Sequence, residues 1–117
     1  MSISVKRKKF NPEAGEYQYH LGFKPVVDDD EVRASVPVEV AFSITENGEL
    51  ADLSFMVPKS VRLNENAFKY LEQQDAAKCV DSRVFIVLPA AAGDSVLRAP
   101  ADLELDAAGR IISMKIH

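Results

Sequence analysis

Two segments of this chain repeat one pattern, and the repeat constrains the fold more than any other feature of the sequence. Residues 42–55 superimpose on residues 103–116 at a constant offset of 61 positions, which brings Gly48 onto Gly109. Each copy alternates apolar and polar residues, turns at a glycine, and returns with its alternation slipped by one residue. Alternation with a period of two is typical of a half-buried strand. The repeat therefore predicts two antiparallel hairpins of the same design.

The slipped alternation predicts a β-bulge in each hairpin. Without one, Leu103 would lie opposite Ser113, and an apolar side chain would face a polar one. A bulge at Ile111/Ile112 restores matched pairs: Asp102 with Lys115, Leu103 with Met114 and Glu104 with Ser113. A bulge at Leu50/Ala51 does the same in the first hairpin: Val40 with Phe55, Phe42 with Leu53 and Ser43 with Asp52.

Both turns are predicted to be three-residue loops that end in a left-handed residue. Gly48 and Gly109 take that position because a positive φ costs glycine least. In the second turn, this geometry sets Asp106 against Arg110.

The N-terminal part of the chain predicts a further hairpin, in which residues 3–10 pair with residues 16–23. The connecting stretch 11–15 (Asn-Pro-Glu-Ala-Gly) consists of turn-forming residues. The apolar face of the second strand would carry Tyr17, Tyr19, Leu21 and Phe23. Residues 24–35, which contain Pro25 and an acidic run, are predicted to form an exposed connection.

Two more strands are expected between the N-terminal hairpin and the last one. Residues 36–44 alternate strictly, and Pro37 places the start of that strand at an edge or end of the sheet. Residues 84–88 are five consecutive apolar residues, which predicts a central strand covered on both faces. Residues 90–100 are predicted to be a loop of small residues with a short strand at 96–98.

One helix is predicted, at residues 64–74. Asn64 can cap it, Leu63 and Phe68 occupy staple positions, and Leu71 shares a face with Phe68. The chain is thus expected to be a single α+β domain, 1–117, with about six or seven mostly antiparallel strands and this helix packed on them. A β-sandwich or closed barrel with one helix is the alternative.

Composition limits the functional classes. The chain has 14 basic and 18 acidic residues, a net charge of −4, which argues against a general nucleic-acid binder. No apolar run approaches the roughly 18 residues that a membrane span requires. Cys79 is the only cysteine, so an intramolecular disulfide is excluded. These features predict a cytoplasmic protein that does not bind membranes.

Two motifs support a resemblance to a known family. Residues 10–21 begin Phe10-Asn11-Pro12-Glu13-Ala14 and continue into an aromatic strand, and residues 106–116 form a Gly-Arg-aliphatic hairpin. Together they resemble a small bacterial domain-of-unknown-function family that opens on an aromatic-Asp-Pro-Glu-Ala turn. In that family the two motifs lie close together in a short chain, whereas a long segment separates them here, as expected of an elaborated or duplicated version of the family. The resemblance implies a bacterial origin and this kind of fold, and it implies no catalytic residues.

The residues that could carry chemistry each have a simpler structural explanation. His20 is predicted to be a solvated strand histidine, His117 is C-terminal, and Cys79 is predicted to be buried and unreactive. The carboxylates Asp102, Glu104 and Asp106 are predicted to form a solvated ladder, paired with Lys115 and Arg110. The acidic run Asp28–Glu31 lacks the spacing of a calcium loop.

The only basic cluster is Lys6, Arg7, Lys8 and Lys9. With Lys9 opposite Tyr17 and Arg7 opposite Tyr19, the basic stems would cover the rings rather than leave them free for bases. No catalytic, cofactor-binding or metal-binding residue is assigned, and no cofactor is expected. The favoured function is a noncatalytic interaction or regulatory module. An enzyme or small-ligand binder with a pocket between sheet and helix, and a weak nucleic-acid binder through Lys6–Lys9, are the alternatives.

The sequence also predicts a two-fold homodimer. A sheet with one short helix leaves strand edges and part of a face uncovered, and the aromatic face of Tyr17, Tyr19 and Phe23 would suit an interface. The alternative is that the sheet curls and buries these rings internally.

Overall fold

The computed structural model describes residues 3–11, 13, 16–24, 29–74, 76–88, 93 and 95–117. Eight strands form one antiparallel sheet: β1 (Ser4–Asn11), β2 (Glu16–Gly22), β3 (Ala34–Ile44), β4 (Leu50–Met56), β5 (Ala77–Val80), β6 (Arg83–Val87), β7 (Ser95–Leu105) and β8 (Ile111–Ile116). Their order across the sheet is β1-β2-β8-β7-β3-β4-β6-β5. Within these ranges there are two α-helices of one turn each, α1 (Lys59–Arg62) and α2 (Lys69–Glu72). The predicted dominance of antiparallel sheet is confirmed, and the described residues form eight strands where about six or seven were expected.

Both predicted bulges are confirmed. In the β3–β4 hairpin, Ala51 is the extra residue, and in the β7–β8 hairpin it is Ile112. The matched pairs are those expected, among them Phe42 with Leu53 and Leu103 with Met114. Gly48 and Gly109 have φ values of 80° and 78°, so both turns end in the predicted left-handed glycine.

The predicted helix over 64–74 is present only over Lys69–Glu72, as α2, and the described residues contain a further short helix, α1, so the expectation of one long helix is not confirmed. Between α1 and α2 the backbone makes turns whose N–H groups bond three residues back, as from Ala67 to the carbonyl of Asn64. Asn64 does make a cap-like bond, because its Oδ1 accepts the N–H of Asn66 at 2.9 Å, but a regular helix begins only at Lys69. The Nδ2 of Asn64 also donates to the carbonyl of Ala108 at 2.6 Å, which ties this segment to the β7–β8 turn.

Two strand predictions also need correction. The strand at 84–88 is present as β6, but it is not central and not covered on both faces: Val84 and Ile86 are buried whereas Phe85 and Val87 are exposed. The short strand predicted at 96–98 is present but longer than expected: residues 95–100 are the first half of β7, which pairs with β3 along its whole length. Small residues give a weak strand signal, and a long partner strand supplies the hydrogen bonds. Residues 89–92 and 94 lie outside the described part of the chain.

The sheet curls around a core on its inner face. The Tyr19 hydroxyl on β2 donates to the carbonyl of Gly48 at 2.7 Å, although β2 and the β3–β4 turn are far apart in the strand order. The Tyr19 ring also meets Phe42 edge to face, with centroids 5.9 Å apart. Val61, Ala67 and Leu71 of the helical segment complete the same core. The curled sheet buries Tyr19 and Phe23, so these rings cannot form the predicted dimer interface; the side chain of Tyr17 lies outside the description.

The sheet stays open in the part of the chain described. β1 and β5 each pair with one neighbour, so the alternatives of a closed barrel or a sandwich within one chain are not confirmed. Pro37 lies in the half of β3 that pairs with β7 but not with β4, which agrees with its expected place beside a local edge. No helix in the described ranges is long and apolar enough to span a membrane.

Candidate functional site

The outer face of the sheet carries the three carboxylates of β7, and each has a cationic or imidazole partner. Asp106 Oδ2 accepts from Arg110 Nε at 2.7 Å, as predicted. Asp102 is the backbone partner of Lys115, but its Oδ2 lies 2.8 Å from His117 Nε2 instead. These pairs lie at the C-terminal end of β7 and in the turn that follows it.

Glu104 is the centre of a buried cluster, so its predicted place in a solvated ladder is wrong. It is 5% exposed, and its Oε1 accepts Ser113 Oγ at 2.7 Å. The same oxygen lies 3.0 Å from Nε2 of His20, and Lys115 Nζ lies 3.6 Å from Oε2. The His20 side chain is 13% exposed, so the expectation of a solvated histidine is also wrong. The strand order explains both differences, because it places β2 beside β8 within reach of β7.

The order of groups in this cluster does not suit nucleophilic catalysis. A serine nucleophile is activated when a histidine bonds to its oxygen and a carboxylate bonds to the other side of that histidine. Here the carboxylate lies in the middle, and Ser113 and His20 both bond to the same oxygen of Glu104. Ser113 is also fully buried. The cluster therefore connects β2, β7 and β8 rather than presenting a reactive group.

Asp106 is held in its charged form by the β7–β8 turn. Burial by itself works to raise the pKa of Asp106, but the N–H and guanidinium of Arg110, together with the N–H of Ala108, outweigh it and lower that pKa. The Arg110 guanidinium also lies 5.0 Å from the centre of the Tyr70 ring on α2. The turn is thereby fixed against the helical segment.

Cys79 is exposed, which contradicts its predicted burial. It lies on β5 at the sheet edge, where only β6 pairs with it. Partial desolvation, and then the charge of Glu72, raise the pKa of the Cys79 thiol. A raised pKa keeps the thiol protonated at neutral pH, so its low reactivity stays a prediction with a different physical basis.

The basic cluster of β1 lies beside different residues from those expected. The backbone register sets Arg7 beside His20, Lys8 beside Tyr19 and Lys9 beside Gln18, because the pairing shifts between Val5 and Arg7. The side chains of residues 6–10 lie outside the description. On the neighbouring strands β2 and β8, a shallow depression of about 170 Å³ has a lining without acidic residues: Gln18, Tyr19, His20, Lys115, Ile116 and His117.

The acidic run forms a short turn rather than a metal-binding loop, and the depressions lie on the sheet. Residues 29–31 form a 3-10 turn and Glu31 pairs with Lys24, while Asp28 lies outside the described part. Across the described residues, no three histidine, cysteine or acidic side chains are grouped to hold a metal ion. The three depressions described lie on the sheet, at β2–β8, β3–β7 and β3–β4, rather than between the sheet and α2.

A second region of the outer face is apolar. Five large side chains, 42% to 75% exposed, form what we term the outer patch: Met56, Val80, Phe85, Val87 and Val96. The register places them on one face, since Phe85 pairs with Ser54 and Val87 with Asp52. Beside them a groove of about 220 Å³ follows β3 and β4, lined by Glu39, Ala41, Ser54, Met56, Arg83 and Arg98. The five consecutive apolar residues at 84–88 predicted a strand buried on both faces, so the exposure of Phe85 and Val87 could not be expected from the sequence.

No protein-family model, curated protein or solved structure matches the chain. The resemblance of residues 10–21 and 106–116 to the bacterial family therefore stays a prediction.

Proposed function

We propose that the chain is a noncatalytic interaction module of the bacterial cytoplasm that binds a protein through the outer patch. The exposure of five large apolar side chains on one sheet face carries this proposal. Large apolar side chains grouped on one exposed face commonly mark a binding surface. The net charge of −4 and the single cysteine support a reducing, aqueous compartment.

The surroundings of the outer patch resemble a protein interface. In one row Ser54 and Ala41 lie between Phe85 and Arg98, and in the next row Ser43 and Asp52 lie between Val87 and Val96. Arg98 and Glu39 form an exposed ion pair with Nη1 and Oε1 3.5 Å apart, and the guanidinium of Arg83 lies 6.0 Å from the centre of the Phe85 ring. An apolar centre with aromatic residues and a polar, solvated rim is the usual anatomy of a protein–protein contact.

Photo-crosslinking in bacterial cells tests this function. A photoreactive phenylalanine analogue placed at Val87 should form an adduct with a protein, because Val87 lies within the patch. The same analogue at Leu63, an equally exposed apolar residue on the helical segment, is the control and should form little or none. Adducts of any protein at Val87 support the function, including an adduct of two copies of the chain. Equal yields at the two positions, or no adduct at Val87, would contradict it.

A second function, weak binding of single-stranded nucleic acid, is favoured by the depression between β2 and β8. Its lining contains Lys115 and both histidines, and β1 brings Arg7 and Lys9 beside it in the register. Phosphate groups are bound mainly by lysine and arginine cations, with an affinity that falls as salt rises. Fluorescence anisotropy with a labelled thymidine oligonucleotide at low salt should show weak binding that Lys115→Glu removes and Lys59→Glu, on α1, preserves. An equal effect of both variants would reject a site at this depression.

A further inference from the structure

We infer that the partner of the outer patch is an acidic segment of another protein that also carries large apolar side chains. This inference rests on the proposed function and names the chemistry of the partner. The chain as a whole has a net charge of −4, but cations predominate where the outer patch borders its groove. Opposite charges across an interface select the partner and speed its association.

Three exposed cations lie on the part of the outer face that contains Phe85. The register sets Lys78 on β5 directly beside Phe85. Arg83 lies two residues before Phe85 on the same face of β6, with its guanidinium 6.0 Å from the centre of the ring. Arg98 on β7 ends the same row on the other side of the groove. A negatively charged group above the groove would therefore have a guanidinium on either side.

Two carboxylates of the same face already have partners. Glu39 Oε1 lies 3.5 Å from Arg98 Nη1, in an ion pair whose two side chains are both exposed. Asp52 Oδ1 accepts from Ser43 Oγ at 2.9 Å. Asp52 belongs to the next row of the sheet and is not part of the lining of the groove. The groove itself therefore contains one carboxylate, and that carboxylate is shared with an arginine.

The other two cations are not neutralised in this way. Among the residues that the structure describes, neither Lys78 nor Arg83 forms an ion pair with an acidic side chain. Both side chains are exposed. A partner's carboxylates could thus bind here without breaking an ion pair of the chain. Arginine suits this contact, because its guanidinium donates two parallel N–H groups to one carboxylate.

The groove also gives the same segment a place for an apolar side chain. Its lining combines two small residues, Ala41 and Ser54, with the larger Met56. A second depression, of about 420 Å³, adjoins it on the far side of the Arg98–Glu39 pair and is partly lined by Pro37, Ala99 and Pro100. Apolar side chains over these two depressions, with carboxylates toward the cations, would match the surface in shape and in charge.

Two other occupants fit these charges less well. Nucleic acid would place phosphates against five large apolar side chains that offer them no cation. A second copy, packed face to face about a two-fold axis along β4, would set Asp52 against its own copy and Arg98 against Lys78. Like charges placed against each other across an interface are unfavourable. Both occupants are outcomes of the test below.

Charge variants combined with the photoreactive analogue at Val87 test this inference in bacterial cells, with the full chain. Arg83→Glu and Arg98→Glu should each lower the yield of the protein adduct about tenfold, because each sets a carboxylate against the partner's acids. Arg83→Lys should retain most of the yield, since it keeps the charge. Glu39→Gln should raise the yield, because it removes the carboxylate that competes for Arg98. Lys59→Glu is the same charge reversal on α1, and this control should leave the yield unchanged.

The adducts themselves provide a second measurement. Mass spectrometry should locate the attachment point in a partner segment where acidic residues outnumber basic ones. A protein adduct at Val87 that is insensitive to both arginine reversals, or equally sensitive to Lys59→Glu, would overturn the acidic partner and leave the interaction function standing. An adduct to nucleic acid or to a second copy would also overturn the acidic partner. The absence of any adduct at Val87 would reject the interaction function as well. Circular dichroism of each purified variant checks that a lost adduct does not reflect a lost fold.

Discussion

The two bulged hairpins use the same backbone design and the same local contacts. At the start of each turn, a side-chain oxygen accepts the N–H four residues on: Thr45 Oγ1 from Glu49 at 3.2 Å, and Asp106 Oδ1 from Arg110 at 2.9 Å. Across each bulge, a serine donates to a carboxylate, 2.9 Å in β3–β4 and 2.7 Å in β7–β8. In the first hairpin the serine, Ser43, lies on the first strand and the acid, Asp52, on the second. In the second hairpin the order is reversed, with Glu104 on the first strand and Ser113 on the second.

The hairpins differ in what lies beside them. Asp52 is exposed and pairs with Val87 on β6, so its carboxylate has an apolar neighbour. Glu104 is buried, because β2 brings His20 to it from across β8. The comparison teaches that the local sequence sets the shape of each hairpin, whereas the neighbouring strand decides whether its polar pair becomes a buried cluster or part of an exposed patch.

Removing each carboxylate gives the largest contrast between the hairpins. Glu104→Ala should lower the free energy of unfolding by about 3 kcal/mol, since it leaves buried Ser113 and His20 without this acceptor. Asp52→Ala should cost less than about 1 kcal/mol, because water can replace an exposed acceptor. Urea unfolding of both variants measures the difference. Equal losses would show that the two hairpins have similar surroundings after all.

The turn glycines are the next test. Gly48→Val and Gly109→Val should each destabilise the protein by about 1 to 2 kcal/mol, because a β-branched residue is strained at positive φ. Gly109→Val should also displace Asn64, whose amide lies against that position and bonds to Ala108. The fall in melting temperature that Gly109→Val causes should therefore be smaller in an Asn64→Ala background than in the wild-type protein. An unchanged melting temperature in Gly109→Val would remove the turn assignment.

The smallest expected effect is a pH dependence confined to the second hairpin. The pKa of Asp106 is lowered in the folded protein, so its stabilising contribution is present above the pKa of the unfolded state and is lost as the pH falls through the folded pKa. Asp106→Asn should cost about 1 kcal/mol at pH 7 and less in acid. Thr45→Ala, at the equivalent turn position, should cost the same at both pH values. Urea unfolding at pH 7 and in strong acid checks this, and parallel losses for the two variants would contradict it.

The sequence by itself determined the hairpins, their bulges and their turns. These features depend on interactions between residues close along the chain: alternation assigns each side chain to a face, the slip requires an extra residue, and positive φ favours glycine. Register, bulges and the Asp106–Arg110 pair could therefore be predicted. The buried face of β2 followed from the same period of two.

Only the tertiary structure decided which strands are neighbours, and the candidate sites depend on that choice. The order β1-β2-β8-β7-β3-β4-β6-β5 buries Glu104 beneath His20, places β6 next to the edge so that Phe85 and Val87 face outward, and extends β7 along β3. It also brings the β7–β8 turn to the segment before α2, where Asn64 donates to the carbonyl of Ala108. Strand order is set by contacts between residues distant along the chain, and no local pattern in the sequence encodes them.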